Sequence, residues 1–104
     1  MAMNTTFDLL AEPTRRRIVE ELGKGERPVS SLVEALEMSQ PAVSKQLRVL
    51  RESGMAVARK EGRKRIYRLE AAPLKELDRW LEPFRAYWEP HLAALEKTLD
   101  AMED

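Results

Sequence analysis

The apolar residues in the first half of the chain recur three and four positions apart, a spacing that predicts a series of short amphipathic helices. Thr5 or Thr6 is expected to cap the first helix, in which Phe7 begins the apolar face. Pro13 suits the first turn of a second helix, because the N–H that proline lacks would have had no intrahelical partner there. The basic run at 15–17 is expected to point away from the buried face of that second helix.

A third and a fourth helix follow, separated by a short polar turn. Ser30 or Ser31 is the expected N-cap of the third helix. Ser39 is the expected N-cap of the fourth, with Pro41 in its first turn, and Gly54 is expected to end it. The predicted core positions of helices two to four are Ile18, Val19, Leu22, Val33, Leu36, Val43, Leu47 and Leu50.

The hydrophobic period changes from helical to two after the fourth helix, which predicts a β-hairpin over 57–69. Its turn is Glu61-Gly62-Arg63, in which Gly62 tolerates a positive φ angle. Two strands alone are marginally stable, so the hairpin is expected to lie against the helices. Val57 and Arg59 are predicted to share one face of the first strand, and Arg65, Tyr67 and Leu69 one face of the second.

A long apolar seam with heptad-like spacing runs from Leu74 to Met102. Pro83 and Pro90 interrupt it, so we expect a kink or a new helix near Pro83 and a second bend near Pro90. The seam is longer than one small core needs, which indicates a partner helix. The predicted fold is mainly α with a small β-hairpin, a winged helix-turn-helix core over 1–70 followed within one domain by a helical dimerisation segment over 71–104.

The formal net charge of the chain is zero, but the charge is segregated along it. Residues 44–68 contain nine basic and two acidic side chains, a net charge of +7, whereas the segments before and after carry −2 and −5. A block of this density is typical of a surface that faces a polyanion, with a merely solvated face as the alternative.

The composition excludes several classes of function. The chain has no cysteine, so thiolate metal sites, iron–sulfur clusters and cysteine nucleophiles are excluded, and its single histidine leaves no nucleophile–base pair that spacing can identify. An enzyme is therefore the weakest hypothesis, and no cofactor is expected. We find no basic, apolar leader at 1–7 and no long apolar run, so we expect a cytoplasmic protein with no membrane partner.

The fourth helix and the hairpin together predict a DNA-binding unit, because the major groove of DNA admits a helix and displays donors and acceptors that polar side chains distinguish. The recognition helix is expected over 39–53 and the wing over 57–69. Solvated helix residues and a blunted sheet edge are the alternatives for these positions. The candidate DNA-binding residues are Ser39, Gln40, Pro41, Ser44, Lys45, Arg48, Arg51, Arg63, Lys64 and Arg65.

The strings "LAEPTRRRIVEEL", "SQPAVSKQLRVLRESG" and "EGRKRIYRL" resemble the ArsR-type winged helix-turn-helix transcriptional regulators of bacteria. The resemblance implies a homodimer formed through the N-terminal and C-terminal helices, with Gln40, Pro41, Ser44 and Lys45 in the major groove of operator DNA. The stretch "RPVSSLVEAL" has no cysteine where metal-sensing members carry a cysteine-containing box. The chain therefore resembles a metal-independent branch of the family, and one histidine, His91, with scattered carboxylates is weak support for a metal site.

Four of the six aromatic residues cluster in the C-terminal segment. Packing in a dimer interface is one interpretation, because aromatic side chains bury large areas. A pocket for a small apolar effector is the other, and the sequence does not separate them. The candidate residues for this interface or pocket are Phe7, Leu10, Trp80, Leu81, Phe84, Tyr87, Trp88, His91, Leu92, Leu95 and Leu99.

These observations favour a sequence-specific, homodimeric repressor that occludes a promoter and has double-stranded operator DNA and a second copy of itself as partners. The alternative is a helical protein-interaction module that uses the C-terminal seam to bind a dissimilar protein.

Overall fold

The computed structural model describes residues 3–103, with the backbone alone at 3, 4, 92, 93 and 103. The predicted fold class, mainly helical with a small hairpin and a long C-terminal helix, is confirmed. The elements in chain order are α1 (Met3–Ala11), α2 (Pro13–Gly23), β1 (Arg27–Pro28), α3 (Val29–Leu36), α4 (Gln40–Glu52), β2 (Ala56–Glu61), β3 (Lys64–Leu69) and α5 (Ala71–Glu103).

The starts of the first three helices differ in how well the sequence predicted them. Pro13 occupies the first turn of α2 as expected, and the N–H of Arg15 donates to Glu12 Oε2 at 2.8 Å, a bond that lowers the pKa of the Glu12 carboxyl. Thr5 and Thr6 do not cap α1, because both lie inside that helix and Thr6 is fully buried. Local sequence suggested a cap where tertiary packing instead buries the side chain.

The prediction that Ser30 or Ser31 caps the third helix is also wrong. The N-cap is Pro28, whose backbone is extended and whose side chain forms no capping bond. The two-residue strand β1 pairs with β3 immediately before α3, with Pro28 opposite Ile66, and this pairing fixes where the helix begins. A strand of two residues is too short to produce an alternating pattern, so the sequence did not reveal it.

The three strands form an antiparallel sheet in the order β1-β3-β2. Glu61 belongs to β2 and pairs with Lys64, so the turn contains two residues rather than the three expected. Gly62 has a φ of 64°, the left-handed conformation that two-residue hairpin turns require. The hairpin lies against the helices as predicted, with Ala56 and Tyr67 buried and Val57 and Arg59 on the other face of β2.

The core lies between α2, α3, α4 and the sheet. Ile18, Val43, Leu47 and Leu50 are fully buried, as the helical spacing predicts. Leu22 and Leu36 are buried as well, whereas Val19 and Val33 pack against the core only in part. The buried side chains that the sequence did not single out are Leu9, Leu32, Met55 and Ala56.

Arg15 ties the first helix to the fourth, a contact that the sequence did not predict for the basic run at 15–17. Its Nε donates to the carbonyl of Leu9 at 2.9 Å, and its Nη2 donates to the carbonyl of Asp8 at 3.2 Å. Its Nη1 donates to Gln46 Oε1 on α4 at 3.1 Å. One guanidinium therefore holds the end of α1 against α4.

The C-terminal segment is one continuous helix of 33 residues, so of the two alternatives expected near Pro83, a kink or a new helix, the new helix is excluded. Pro83 and Pro90 lie inside α5 at exposed positions, where water can bind the carbonyls that lose their intrahelical donor. The radius of gyration is 17.7 Å and the longest extent 56 Å. A compact domain of this size has a radius of gyration of about 13 Å, so α5 extends well beyond the core.

Replacing either of two serines in the helix-turn-helix is expected to change the stability by different amounts. Ser39 Oγ accepts a hydrogen bond from the N–H of Ala42 at 3.2 Å. Ser44 lies in the middle of α4, and its side chain is exposed to solvent. Ser39→Ala is expected to lower the free energy of unfolding by about 1 kcal/mol, because the amide loses its acceptor. Ser44→Ala is expected to change it by less than about 0.5 kcal/mol. Urea unfolding measures both, and equal values for the two variants would contradict the cap.

Candidate nucleic-acid interface

The recognition helix α4 is oriented by its buried face. Val43, Leu47 and Leu50 point into the core, so the opposite face of α4 points outward. The preceding turn is sharp because Glu37 takes the left-handed conformation at the end of α3, with a φ of 54°. Helices α3 and α4 thus form the predicted helix-turn-helix, and Ser39 begins the second of them as expected.

The outward face of α4 and the hairpin line one concavity of about 490 Å³, here called the basic groove. The groove brings together seven of the ten residues predicted to bind DNA. Ser39, Pro41 and Lys45 are exposed on α4 but do not line it. The lining residues are Pro28, Val29, Ser30, Gln40, Ser44, Arg48, Arg51, Arg63, Lys64, Arg65 and Tyr67.

Sequence reasoning missed the end of the groove that is formed by the start of α3 and by Tyr67. The contribution of α3 depends on β1, which has no signature of its own. The sequence pattern could have identified Tyr67 as a residue of this groove, because strand alternation places it on the same face as Arg65.

The cations of the hairpin are divided between its two faces. On the face away from the groove, Nη1 and Nη2 of Arg59 each donate to an oxygen of Glu26 at 2.7 Å, and Arg59 also binds Glu61 at 3.0 Å. These bonds lower the pKa of the Glu26 carboxyl and raise the pKa of Arg59. Arg68 on this face binds Glu70 at 2.6 Å.

The cations that line the groove are mostly without such partners. Arg48 binds Glu52 at 3.0 Å on the exposed side of α4. Among residues 3–103, no carboxylate pairs with the other four, so their positive charge is available to an external anion. These four unpaired cations are Arg51, Arg63, Lys64 and Arg65.

A second exposed surface lies on α1 and α5, here called the aromatic stripe and defined as Phe7, Trp80, Phe84, Tyr87 and His91. The rings of Phe7 and Trp80 meet edge to face with centroids 5.1 Å apart, and those of Trp80 and Phe84 are 4.8 Å apart. Trp80 is nevertheless 45% exposed and Phe84 44% exposed. His91 Nδ1 lies 2.7 Å from the carbonyl oxygen of Tyr87.

The other residues predicted for the interface or effector pocket are distributed along the same two helices. Leu10, Leu81 and Trp88 are partly buried, and Leu95 and Leu99 are exposed. The side chain of Leu92 lies outside the described residues. The described part of the chain contains no cluster of three or more histidine, cysteine or acidic residues placed to hold a metal ion. None of its helices combines the length and apolarity that crossing a bilayer requires.

Comparison with known proteins identifies the family to which this architecture belongs. Residues 12–56 match the family described as "Bacterial regulatory protein, arsR family". The HTH-type transcriptional regulator Rv2034 of Mycobacterium tuberculosis is 36% identical over 98 residues, which cover 94% of this chain and 89% of that protein. The chain belongs to the ArsR family. The predicted family is confirmed, and the matching relatives are named as transcriptional regulators.

Other ArsR-family relatives match the chain over different lengths. The solved ArsR-like transcriptional regulator from Rhodococcus sp. RHA1 has a TM-score of 0.70 and 34% identity, with 92% of this chain and 91% of that one covered. The arsenical resistance operon repressor of Escherichia coli is 47% identical over 64 residues, 61% of this chain. The chain spans about half the length of that protein and of several other curated relatives.

Proposed function

We propose that this ArsR-family protein is a homodimeric repressor that occludes a promoter by binding operator DNA in its basic groove. The observation that carries the proposal is the division of the hairpin's charge: cations on the outer face are neutralised by glutamates, whereas Arg51, Arg63, Lys64 and Arg65 face the groove unpaired. Four cations without carboxylate partners around one concavity form a local positive surface that suits a polyanion.

The groove and the exposed start of α4 beside it together supply both kinds of contact that specific binding needs. Gln40 begins α4, so its amide can pair with adenine in the major groove, with Ser44 one turn further along and Lys45 beside it for guanine. Ser39 and the N-terminus of α4 suit a backbone phosphate, and Arg48 and Arg51 extend that anchorage. The wing residues Arg63, Lys64 and Arg65 would straddle the adjacent minor groove.

We propose that the aromatic stripe binds a second copy of the chain. The segment over 71–104 would then be the dimerisation segment and 1–70 the DNA-binding core. The stripe joins α1 to an α5 that extends beyond the core, so a two-fold related copy would cover both helices at once. Two recognition helices would then meet half-sites roughly 34 Å apart. The name of the E. coli relative, an operon repressor, supports repression, and we place the protein in the bacterial cytoplasm where operators lie.

The dimer interface is preferred over an effector pocket for the stripe, because its rings lie on an exposed helix surface. Binding of a small apolar effector stays a prediction. Metal independence is supported by the absence of cysteine and by the lone histidine of the chain.

The deciding experiment is an anisotropy titration of the protein against the DNA upstream of its own gene and against a shuffled duplex of the same composition. Gln40→Ala is expected to cost about 1 to 3 kcal/mol of binding free energy at particular base pairs, because the bidentate pairing is lost. Arg65→Ala is the matched comparison, since loss of a phosphate contact weakens binding to every duplex and lowers the salt slope by about one. Equal affinity of the wild type for both duplexes at every salt concentration would overturn the proposal.

A further inference from the structure

Three consecutive residues of α1 contact different parts of the molecule. The ring of Phe7 belongs to the aromatic stripe and meets Trp80 edge to face, with the centroids 5.1 Å apart. The next two residues, Asp8 and Leu9, offer their backbone carbonyls to the guanidinium of Arg15. Helix α1 packs mainly on α2 and α5. The same short helix is therefore part of the proposed dimer surface and is bound to the arginine.

The guanidinium of Arg15 also contacts the recognition helix. Its Nη1 donates to Gln46 Oε1 at 3.1 Å, a partner 31 positions further along the chain. Gln46 follows Lys45, one of the residues predicted to bind DNA, but it is half-buried and does not line the basic groove. Gln46 is thus placed to hold α4 in position rather than to contact DNA.

The apolar core and the guanidinium restrain α4 in different ways. Val43, Leu47 and Leu50 are fully buried, and the hydrophobic effect that holds them has no direction of its own. The guanidinium of Arg15 is planar, its donors point in fixed directions, and its acceptors lie on two helices. The apolar face therefore sets how deeply α4 lies on the core, and the bond to Gln46 restrains its angle relative to α1.

We propose that Arg15 is a positioning residue that sets the angle between the aromatic stripe and the recognition helix, and with it the half-site spacing that one dimer binds. Two recognition helices reach half-sites roughly 34 Å apart, so a tilt of about 10° at half that distance moves each helix by about 3 Å, close to the rise of one base pair. The inference rests on the proposed function. It makes an arginine outside the basic groove a determinant of operator selectivity.

The primary test is Gln46→Met, which removes the acceptor on α4 and leaves the bonds between Arg15 and α1 in place. Methionine has a similar length and helix propensity, so the variant is expected to fold, and thermal unfolding checks this. Affinities are measured by anisotropy for two duplexes from the DNA upstream of the gene. One duplex carries the whole segment that the wild type protects from nuclease, and the other carries half of it.

The ratio of the affinity for the whole site to that for the half-site is expected to fall about tenfold in Gln46→Met. Each dimer loses the bond twice, and only the whole site requires both recognition helices at one spacing. The affinity for the half-site alone is expected to stay unchanged. Loss of a direct contact between Gln46 and DNA would instead lower both affinities and leave the ratio as it is.

Arg15→Lys tests the other partner of the bond while keeping the charge. An ammonium lacks the planar fork that reaches acceptors on two helices at once, so the ratio is expected to fall as far as in Gln46→Met. The double variant is expected to fall no further, because both changes remove the same bond. Gln46→Glu keeps an acceptor for Arg15 and is expected to retain the wild-type ratio.

Ser31→Ala is the matched control. It removes a side-chain acceptor of another arginine, since Ser31 Oγ accepts from Arg27 Nε at 2.8 Å, but the pair lies outside α1 and α4. The ratio is expected to stay unchanged. Sedimentation equilibrium is expected to give the same dimer mass for the wild type and for every variant, because the aromatic stripe is left intact.

The outcomes separate the positioning role from the proposed function. If the wild type is a dimer that prefers the whole site but Gln46→Met and Arg15→Lys keep its ratio, the positioning role is wrong and the proposed function stands. An equal fall in Ser31→Ala, or a monomeric mass for Gln46→Met, also overturns the positioning role, because the loss then comes from general loosening or from dissociation. If the wild type is a monomer, or binds the upstream DNA no better than a shuffled duplex, both are overturned.

Discussion

Replacing Trp80 and Phe84 with glutamate is expected to produce a folded monomer whose affinity for the operator is lower by about a hundredfold or more. The two rings form one cluster with Phe7 but remain 45% and 44% exposed, so a charge at either position costs little in the isolated chain and much in a buried interface. Two half-sites engaged by one dimer bind with an effective local concentration that a monomer loses. Sedimentation equilibrium measures the mass, and anisotropy measures the affinity.

Ala86→Glu is the matched control for this prediction. Ala86 is exposed on the same helix, but at 100° per residue it lies on a different side from Trp80 and Phe84. It is expected to leave both the dimer and the affinity unchanged. A double variant that stays dimeric with native affinity would show that a second copy does not occupy the aromatic stripe.

Reversing two cations of the basic groove, Arg51→Glu with Arg65→Glu, is expected to lower the affinity for any duplex by about a hundredfold and to make the salt slope shallower by about two. Both side chains line the groove and lack a carboxylate partner in the described chain, so nothing within the protein compensates their loss. Each one removed also forfeits the counterions that its phosphate contact releases. Anisotropy titrations at several salt concentrations measure both quantities.

The comparison variant is Arg16→Glu with Arg68→Glu, which changes the net charge equally but outside the groove. Arg68 faces the other side of the hairpin and is bound to Glu70 at 2.6 Å, and Arg16 is exposed on α2. This pair is expected to weaken binding several-fold at most, through the long-range field alone. Equal losses in the two double variants would mean that binding depends on total charge and that the groove has no special role.

The parts of the fold that the sequence predicted well are those whose signal is local. The N-cap at Ser39 and the buried face through Val43, Leu47 and Leu50 follow from residues within three turns of one another. The position of the hairpin turn at Gly62 is again a local signal, although the turn is one residue shorter than expected. The basic charge of that helix and hairpin predicted DNA recognition from neighbouring residues as well, and the family resemblance added the expectation of a homodimer.

The errors arose where a distant partner decides the local structure. Thr6 has the residue type of a cap but is buried inside α1 by the packing of the remaining chain. The start of α3 is set by β1, which exists only because β3, nearly forty residues later, offers it a hydrogen-bonding edge. The continuity of α5 through Pro83 reflects exposure of the prolines, which the seam alone does not specify.

The sequence by itself determined that this protein has a basic recognition helix, a basic hairpin and a long terminal helix with an apolar seam. These features follow from hydrophobic periods, caps and charge blocks, which are properties of neighbouring residues. Only the tertiary structure decided which of the basic residues remain unpaired and face one groove, that Arg15 joins α1 to α4, and that Tyr67 and the start of α3 line one end of that groove. Ion pairs, strand register and burial depend on residues far apart in the chain. Their geometry is fixed only when the chain has folded.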